Sequence, residues 1–240
     1  MRGVTALTDP ALTAPARAKL MFVIVEDWFF VSHFLAFARA AVAQGFEVSV
    51  ATRVGSARAV IESTGARVLP LTGNRGALGS LAGEARQLER LFRAERPDLL
   101  HLIGLRPIVA GSLAARVAGV RRRIVALTGM GLIGAGAGAR AALARMLIRR
   151  VIGPLANGPD VRFVFENRSD PAAFGLGPDD AAKVTILGGA GVDPARYPVA
   201  PLPPQPPLKL GMIARMLWSK GVDVAVEAVT RARAAGADVT

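Results

Sequence analysis

The 240-residue chain has no cysteine. That excludes disulfides, thiolate zinc sites and cysteine nucleophiles. Histidine is nearly as scarce, with only His33 and His101. A histidine metal site would need carboxylates to complete it, and no ligand spacing suggests one. Aromatic residues make up 5% of the sequence. No acidic residue lies between Asp98 and Asp160, an interval that holds Arg106, Arg116, Arg121, Arg122, Arg123, Arg140, Arg145, Arg149 and Arg150. The longest weakly charged run, 124–139, is about 16 residues and glycine-rich, short of the roughly 20 apolar residues that span a bilayer. The first 18 residues lack the apolar centre of a secretory signal and read as a flexible tail.

What is present is a chain that can fill a core, 52% hydrophobic and 20% charged, which argues against disorder. The formal charge is +12. Arginine and alanine enrichment accounts for part of it, yet the one-signed interval also creates a field suited to phosphates or anionic lipid. Nucleic acid is the weaker choice, because no zinc finger, aromatic RNP strand or helix-turn-helix accompanies the arginines.

From residue 19 onward, apolar runs and helical periodicities alternate. Strands are expected at 19–25, 46–52, 67–71, 99–103, 123–127, 161–165 and 184–187. Helices are expected at 33–44, 57–64, 78–94, 108–118 and 139–152, with a helical patch near 169–182. Short buried strands separated by helices imply an α/β fold, a doubly wound parallel Rossmann-like sheet covered on both faces. The proline-rich stretch 194–207 reads as a stiff linker. After it the rhythm restarts with a strand at 208–213 and a helix at 222–235. The expected organisation is a domain over 19–193, the linker, and over 208–240 the opening strand–helix unit of a second Rossmann-like domain. A single such unit cannot bury a core, so a fragment is expected.

Gly129, Gly131 and Gly134 spell a dinucleotide-binding turn after a strand. The acidic residue needed about 20 positions on is replaced by Arg149 and Arg150, and the turn follows the fifth strand instead of the first. The surviving reading is a glycine loop whose backbone N–H groups can approach a ligand.

Several segments together resemble the retaining, GT-B-fold glycosyltransferases of family 4. KLGMIARMLWSKGVDVAVEAV, 209–229, resembles the element that opens the nucleotide-sugar domain, which implies contacts from Arg215 and Lys220 to the donor diphosphate. Two cations there would offset charge growing on the leaving group. ILGGAGVDPARYP, 186–198, resembles the element before the interdomain linker, and Gly189, Gly191 and Asp193 match it. VFENRSD, 164–170, resembles the segment preceding that element. VEDWFFVSHFLAFARAAVAQGFEVSVAT resembles a subgroup that builds lipid-linked oligosaccharide, capsule or O-antigen chains. An arginine commonly follows the Ser-His pair there, where this chain has Phe34. Ser32 and His33 are thereby acceptor-side candidates, and LLHLIGLRPIVAGSLAARVAG adds His101 and Arg106. IVALTGMGLIG resembles the Gly-Leu-Gly loop lining the acceptor side, with Gly129 and Gly131.

The resemblance implies transfer of a sugar, UDP-linked on this reading, to a polyprenyl-diphosphate-linked acceptor with retention. It implies front-face attack, with a donor phosphate oxygen taking the acceptor proton, and no metal or other cofactor. The acidic motif of the family is expected beyond Thr240, so the 240 residues alone are expected to be inactive. Expected partners are a nucleotide-sugar, a lipid-linked or saccharide acceptor and an anionic membrane, not nucleic acid. A cytoplasmic location on the inner membrane face follows. Two alternatives remain: a UDP-sugar 2-epimerase of the same fold, and a non-catalytic phosphate- or lipid-binding module.

Overall fold

The computed structural model describes residues 18–72, 78–128, 138–214 and 216–240. Gly129, Gly131 and Arg215 therefore lie outside the described residues. The chain divides into two compact units, the first ending at Gly191 and the second running Val192–Thr240.

In the first unit, seven strands form one sheet: β1 (Lys19–Glu26), β2 (Glu47–Arg53), β3 (Arg67–Pro70), β4 (Leu99–Ile103), β5 (Arg123–Leu127), β6 (Val161–Phe165) and β7 (Val184–Ile186). Their order is β3-β2-β1-β4-β5-β6-β7, and every pairing is parallel. The expected doubly wound Rossmann-like sheet is the observed one. The order in which strands are added reverses between β1 and β4, and at such a switch point the loops diverge and leave a crevice.

The strands form where the sequence is continuously apolar, because both faces of the sheet are covered. Met21, Val23, Leu100, Leu102, Val125 and Phe163 pack into one face's core, and Phe22, Ile24, Val50, Ile103 and Ala126 into the other. The alternation of neighbouring residues between the two clusters is the two-residue period of a strand. The covering helices are α1 (Asp27–His33), α2 (Leu35–Ala43), α3 (Arg58–Glu62), α4 (Leu78–Glu95), α5 (Leu105–Ala118), α6 (Ala139–Leu147), α7 (Gly153–Ala156) and α8 (Asp170–Ala173). Gly119 ends α5 in the left-handed conformation, φ 79°, as a glycine at that position permits.

Three local expectations are corrected. The first helix was expected from His33, but α1 begins at Asp27, directly after β1. Asp27 is buried, and its carboxylate accepts backbone N–H groups of Trp28 (2.7 Å), Gly55 (2.6 Å) and Ala57 (3.0 Å). This clamp ties the end of β1 to the loop after β2 and turns the chain at once into a helix. A break at Phe34 then separates α1 from α2.

The second correction concerns 139–152. The helix continues through a wide π turn at Ile148–Ile152 into α7, where Gly153 N–H bonds to the Ile148 carbonyl. Pro154 has no N–H and would crowd the Arg150 carbonyl in a regular helix. The wider turn accommodates it. Gly153 also lies against the Phe174 backbone: a Cβ there would stand 2.1 Å from the Phe174 carbonyl oxygen.

In the second unit, the run 208–213 was expected to be a strand. It forms one parallel bridge, Leu208 with Val239, supported by backbone bonds from Leu208 N to Asp238 O and from Thr240 N to Leu208 O. So short a pairing, without a second neighbour, does not sustain a strand. A short turn at Trp218–Lys220 and helix α9 (Val222–Ala234) complete the unit, with Gly221 in the left-handed conformation between them. No described residue of α9 is buried.

Candidate functional site

A narrow cavity of about 40 Å³ opens where β4, β5 and β6 end, beside the switch point. Its lining includes His33 and Phe34 from the α1–α2 junction, His101 from β4, Thr128 after β5, Glu166 after β6, and Gly189. A water needs roughly 10–15 Å³ of such space, so the cavity seats a few waters or the tip of a larger group. A substrate would lie across its mouth.

His101 is 5% exposed and its Nε2 has no hydrogen-bond partner among the described residues. Its ring packs on Phe22, with centroids 5.1 Å apart, and edge-on against Phe34 at 5.9 Å. Burial in this apolar setting pushes its pKa down from 6.5 to about 4, because the imidazolium loses its hydration. At neutral pH the site therefore contains an uncharged imidazole.

This depression links stability to pH. Between pH 6.5 and 4 the unfolded chain binds a proton at His101 that the folded chain refuses, so stability falls as pH drops through that window. The contribution, about 3 kcal/mol from a shift of this size, is fully present above the unfolded pKa. Denaturant unfolding of the wild type and His101→Phe should show their stability difference changing by about that amount between pH 7 and pH 4. Parallel pH curves would show that His101 is not the linked group.

His33 is half-buried and its ring lies tilted by 34° over that of Phe29, with centroids 4.2 Å apart. Ser32 Oγ lies 3.1 Å from the Phe29 carbonyl oxygen and 2.6 Å from His33 Nδ1. When the hydroxyl donates to the carbonyl, Oγ accepts from Nδ1–H, and Nε2 is left as the ring's acceptor. Ser32 is exposed beside the cavity without lining it.

The other candidates are distributed. Arg106, in the first turn of α5, pairs with Glu84 of α4 and does not line the cavity. Gly189 lines it, with φ 130°, and Gly191 has φ 73°. The division between the two units falls just after Gly191. Asp193 is in the second unit, where its carboxylate accepts the Ala195 N–H at 3.0 Å and starts a short turn. Lys220 is exposed, at the end of the turn that precedes Gly221 and α9.

Phe34, Thr128 and Glu166 line the cavity but are absent from the sequence-derived candidates. Thr128 and Glu166 immediately follow β5 and β6, and that position at a strand's carboxyl end is the signal that could have found them. Among the described residues, no group of three or more His, Asp or Glu side chains could hold a metal ion.

A family profile described as "Glycosyl transferase 4-like" matches residues 19–151, more than half of the chain. No curated protein matches in sequence. Among solved structures, Anabaena Alr3699/HepE, crystallised with UDP and glucose, superposes with a TM-score of 0.55 at 18% identity, over 77% of this chain and 47% of that one. The glycotransferase of kitacinnamycin superposes at 0.52 and 17% identity, over 82% and 57%. A UDP-N-acetylglucosamine 2-epimerase gives 0.52 and 15%, over 72% and 48%. The chain thus spans about half the length of these structures. At such identities the likeness establishes the fold, that of the GT-B enzymes.

Proposed function

Because the chain belongs to the glycosyl transferase 4-like family, we propose that it forms the acceptor side of a retaining glycosyltransferase. The donor is a nucleotide-sugar, UDP-linked on this reading, and the acceptor a polyprenyl-diphosphate-linked saccharide. The family match over 19–151 carries the assignment to transfer chemistry. The open, mostly apolar cavity at the carboxyl ends of the strands supports an acceptor-side role.

In this reading the uncharged His101 and the aromatic rings around it shape a dry wall at the reacting end of the acceptor. His33, with Nε2 free to accept, orients the attacking hydroxyl. The donor phosphate oxygen takes its proton, so neither histidine needs to act as the base. Arg215 and Lys220 stabilise the departing diphosphate, where negative charge grows as the glycosidic bond breaks. Gly189, Gly191 and Asp193 serve the passage between the two units. Gly129 and Gly131 belong to the acceptor-side loop, and Ser32 and Arg106 support that side of the site.

The acceptor's lipid calls for a membrane surface, and α6 with the following turn supplies a fitting face. Leu143, Leu147 and Val151 recur at four-residue spacing and, with Met146, are exposed. Arg140, Arg149 and Arg150 flank them and are exposed. An apolar stripe edged by arginines is the pattern of a helix lying in an anionic interface. Among the described residues no helix is long and apolar enough to cross a membrane.

Two measurements test this reading. Acceptor-dependent release of UDP by the complete gene product, with retained anomeric configuration in the product's NMR couplings, is the expected activity. The 240-residue chain should sediment with phosphatidylglycerol vesicles, and Leu147→Glu should reduce its partitioning by about tenfold. Equal partitioning onto neutral phosphatidylcholine vesicles would remove the anionic surface and its arginines from the account.

A further inference from the structure

The opposite, amino-terminal end of the strands carries a separate concavity, and this one is charged. It lies at the amino ends of β5 and β6, about 15 Å from the cavity at their carboxyl ends, given roughly 3.3 Å per residue over five residues. A cavity of about 360 Å³ is lined there by Arg116, Arg121, Arg123, Asn157, Gly158 and Asp160. Three cations therefore face one carboxylate.

Arg123 is the unusual member. It is the first residue of β5, is 6% exposed, and forms no ion pair among the described residues. Its Nε has no hydrogen-bond partner among them, and one Nη reaches the Ala156 carbonyl only at 3.5 Å. Burial and the neighbouring Arg116 both make its charge harder to hold. A guanidinium stays protonated in proteins, so a buried one without a counter-ion leaves a demand for negative charge. The long Ala156 contact meets little of that demand, and the next two carbonyls at the end of α7 are taken by Arg116, which donates to Pro154 and Leu155 at 3.2 and 3.0 Å. Asp160 is engaged at 3.2 Å by Arg121, whose side chain is largely exposed.

We propose that this cavity is a binding site for a phosphate-bearing ligand, separate from the cleft at the other end of the strands. Arg123 forms its charged floor, Arg116 and Arg121 close over the phosphate, and the Asn157 amide borders it. Asp160 competes with the ligand for Arg121. Arginine suits such a role because its planar fork matches phosphate oxygens. The ligand is either a free phosphorylated molecule or a lipid headgroup, since both present the same oxygens.

Calorimetric titration of the 240-residue chain with inorganic pyrophosphate, at low salt and in an Arg215→Ala, Lys220→Ala background, tests the proposal without interference from the donor side. Saturable binding at one site is expected. Arg116→Gln with Arg121→Gln should weaken it by about tenfold, and Asp160→Asn should tighten it by about threefold. Arg123 is left in place, so its burial is not disturbed. Phosphatidylglycerol vesicles form the second arm, run in the Leu147→Glu background. Loss of residual vesicle binding in the Arg116→Gln, Arg121→Gln variant, with no pyrophosphate binding in the parent, assigns the site to a headgroup. Absence of pyrophosphate binding together with vesicle binding equal in parent and variant would reduce these arginines to a cap on α7 and overturn the site.

Discussion

Gly153→Ala should destabilise the protein by about 3 kcal/mol, and lower the unfolding midpoint by about 6–12 °C. The backbone of Gly153 is helical, φ −55° and ψ −55°. Judged locally, alanine would be the better residue there, by up to about 1 kcal/mol. The tertiary contact reverses that preference. The new methyl would lie 2.1 Å from the Phe174 carbonyl oxygen and 3.5 Å from the Ile148 carbonyl. The first is backbone, so relief requires the segment after α8 to move, and Phe174 is fully buried against Phe163 and Phe165. Gly177→Ala is the matched control, because a Cβ there meets nothing within 4 Å. Its effect should stay within about 0.5 kcal/mol. Equal midpoints for the two variants in thermal unfolding would refute the packing described for the π turn.

The second large effect concerns Lys220. In the complete gene product, Lys220→Ala should lower turnover of the nucleotide-sugar by about 100-fold. Lys220→Arg should restore part of it by returning a cation to the same turn. The residue is exposed, and among the described residues its side chain makes no hydrogen bond or ion pair; its backbone N–H bonds to the Leu217 carbonyl. Folding should therefore be unaffected, and circular dichroism of the variant should match the wild type. A loss confined to KM would mean that Lys220 binds the donor equally in ground and transition states. Unchanged kcat and KM would remove Lys220 from the donor site.

The sheet was legible because parallel strands buried on both faces leave continuous apolar runs, and each of the seven runs from Leu20 to Ile186 became a strand. The start of α1 was not legible. It depends on the Asp27 carboxylate meeting Gly55 and Ala57, partners 28 and 30 residues away. The π turn was hidden for a related reason, since Pro154 marks a disturbance without saying whether a helix ends or widens.

At the site, the sequence singled out His33, His101 and Gly189, which the fold brings to one cavity. It marked Phe34 only as a departure from the Ser-His-Arg pattern and held Glu166 only within VFENRSD, so neither stood out as a site residue. The orphaned Arg123 was visible only as one arginine in a basic interval. Its distinction is burial without a counter-ion, and that emerges only after β5 and α7 come together.

The central claim is transfer of a sugar, as opposed to rearrangement of one, and the shared fold of transferases and 2-epimerases does not separate the two. Mass spectrometry of the complete gene product incubated with a UDP-sugar and a polyprenyl-diphosphate-linked saccharide separates them directly. The account predicts an acceptor heavier by one hexose or N-acetylhexosamine residue, with stoichiometric UDP. An acceptor of unchanged mass beside an epimerised UDP-sugar would contradict it.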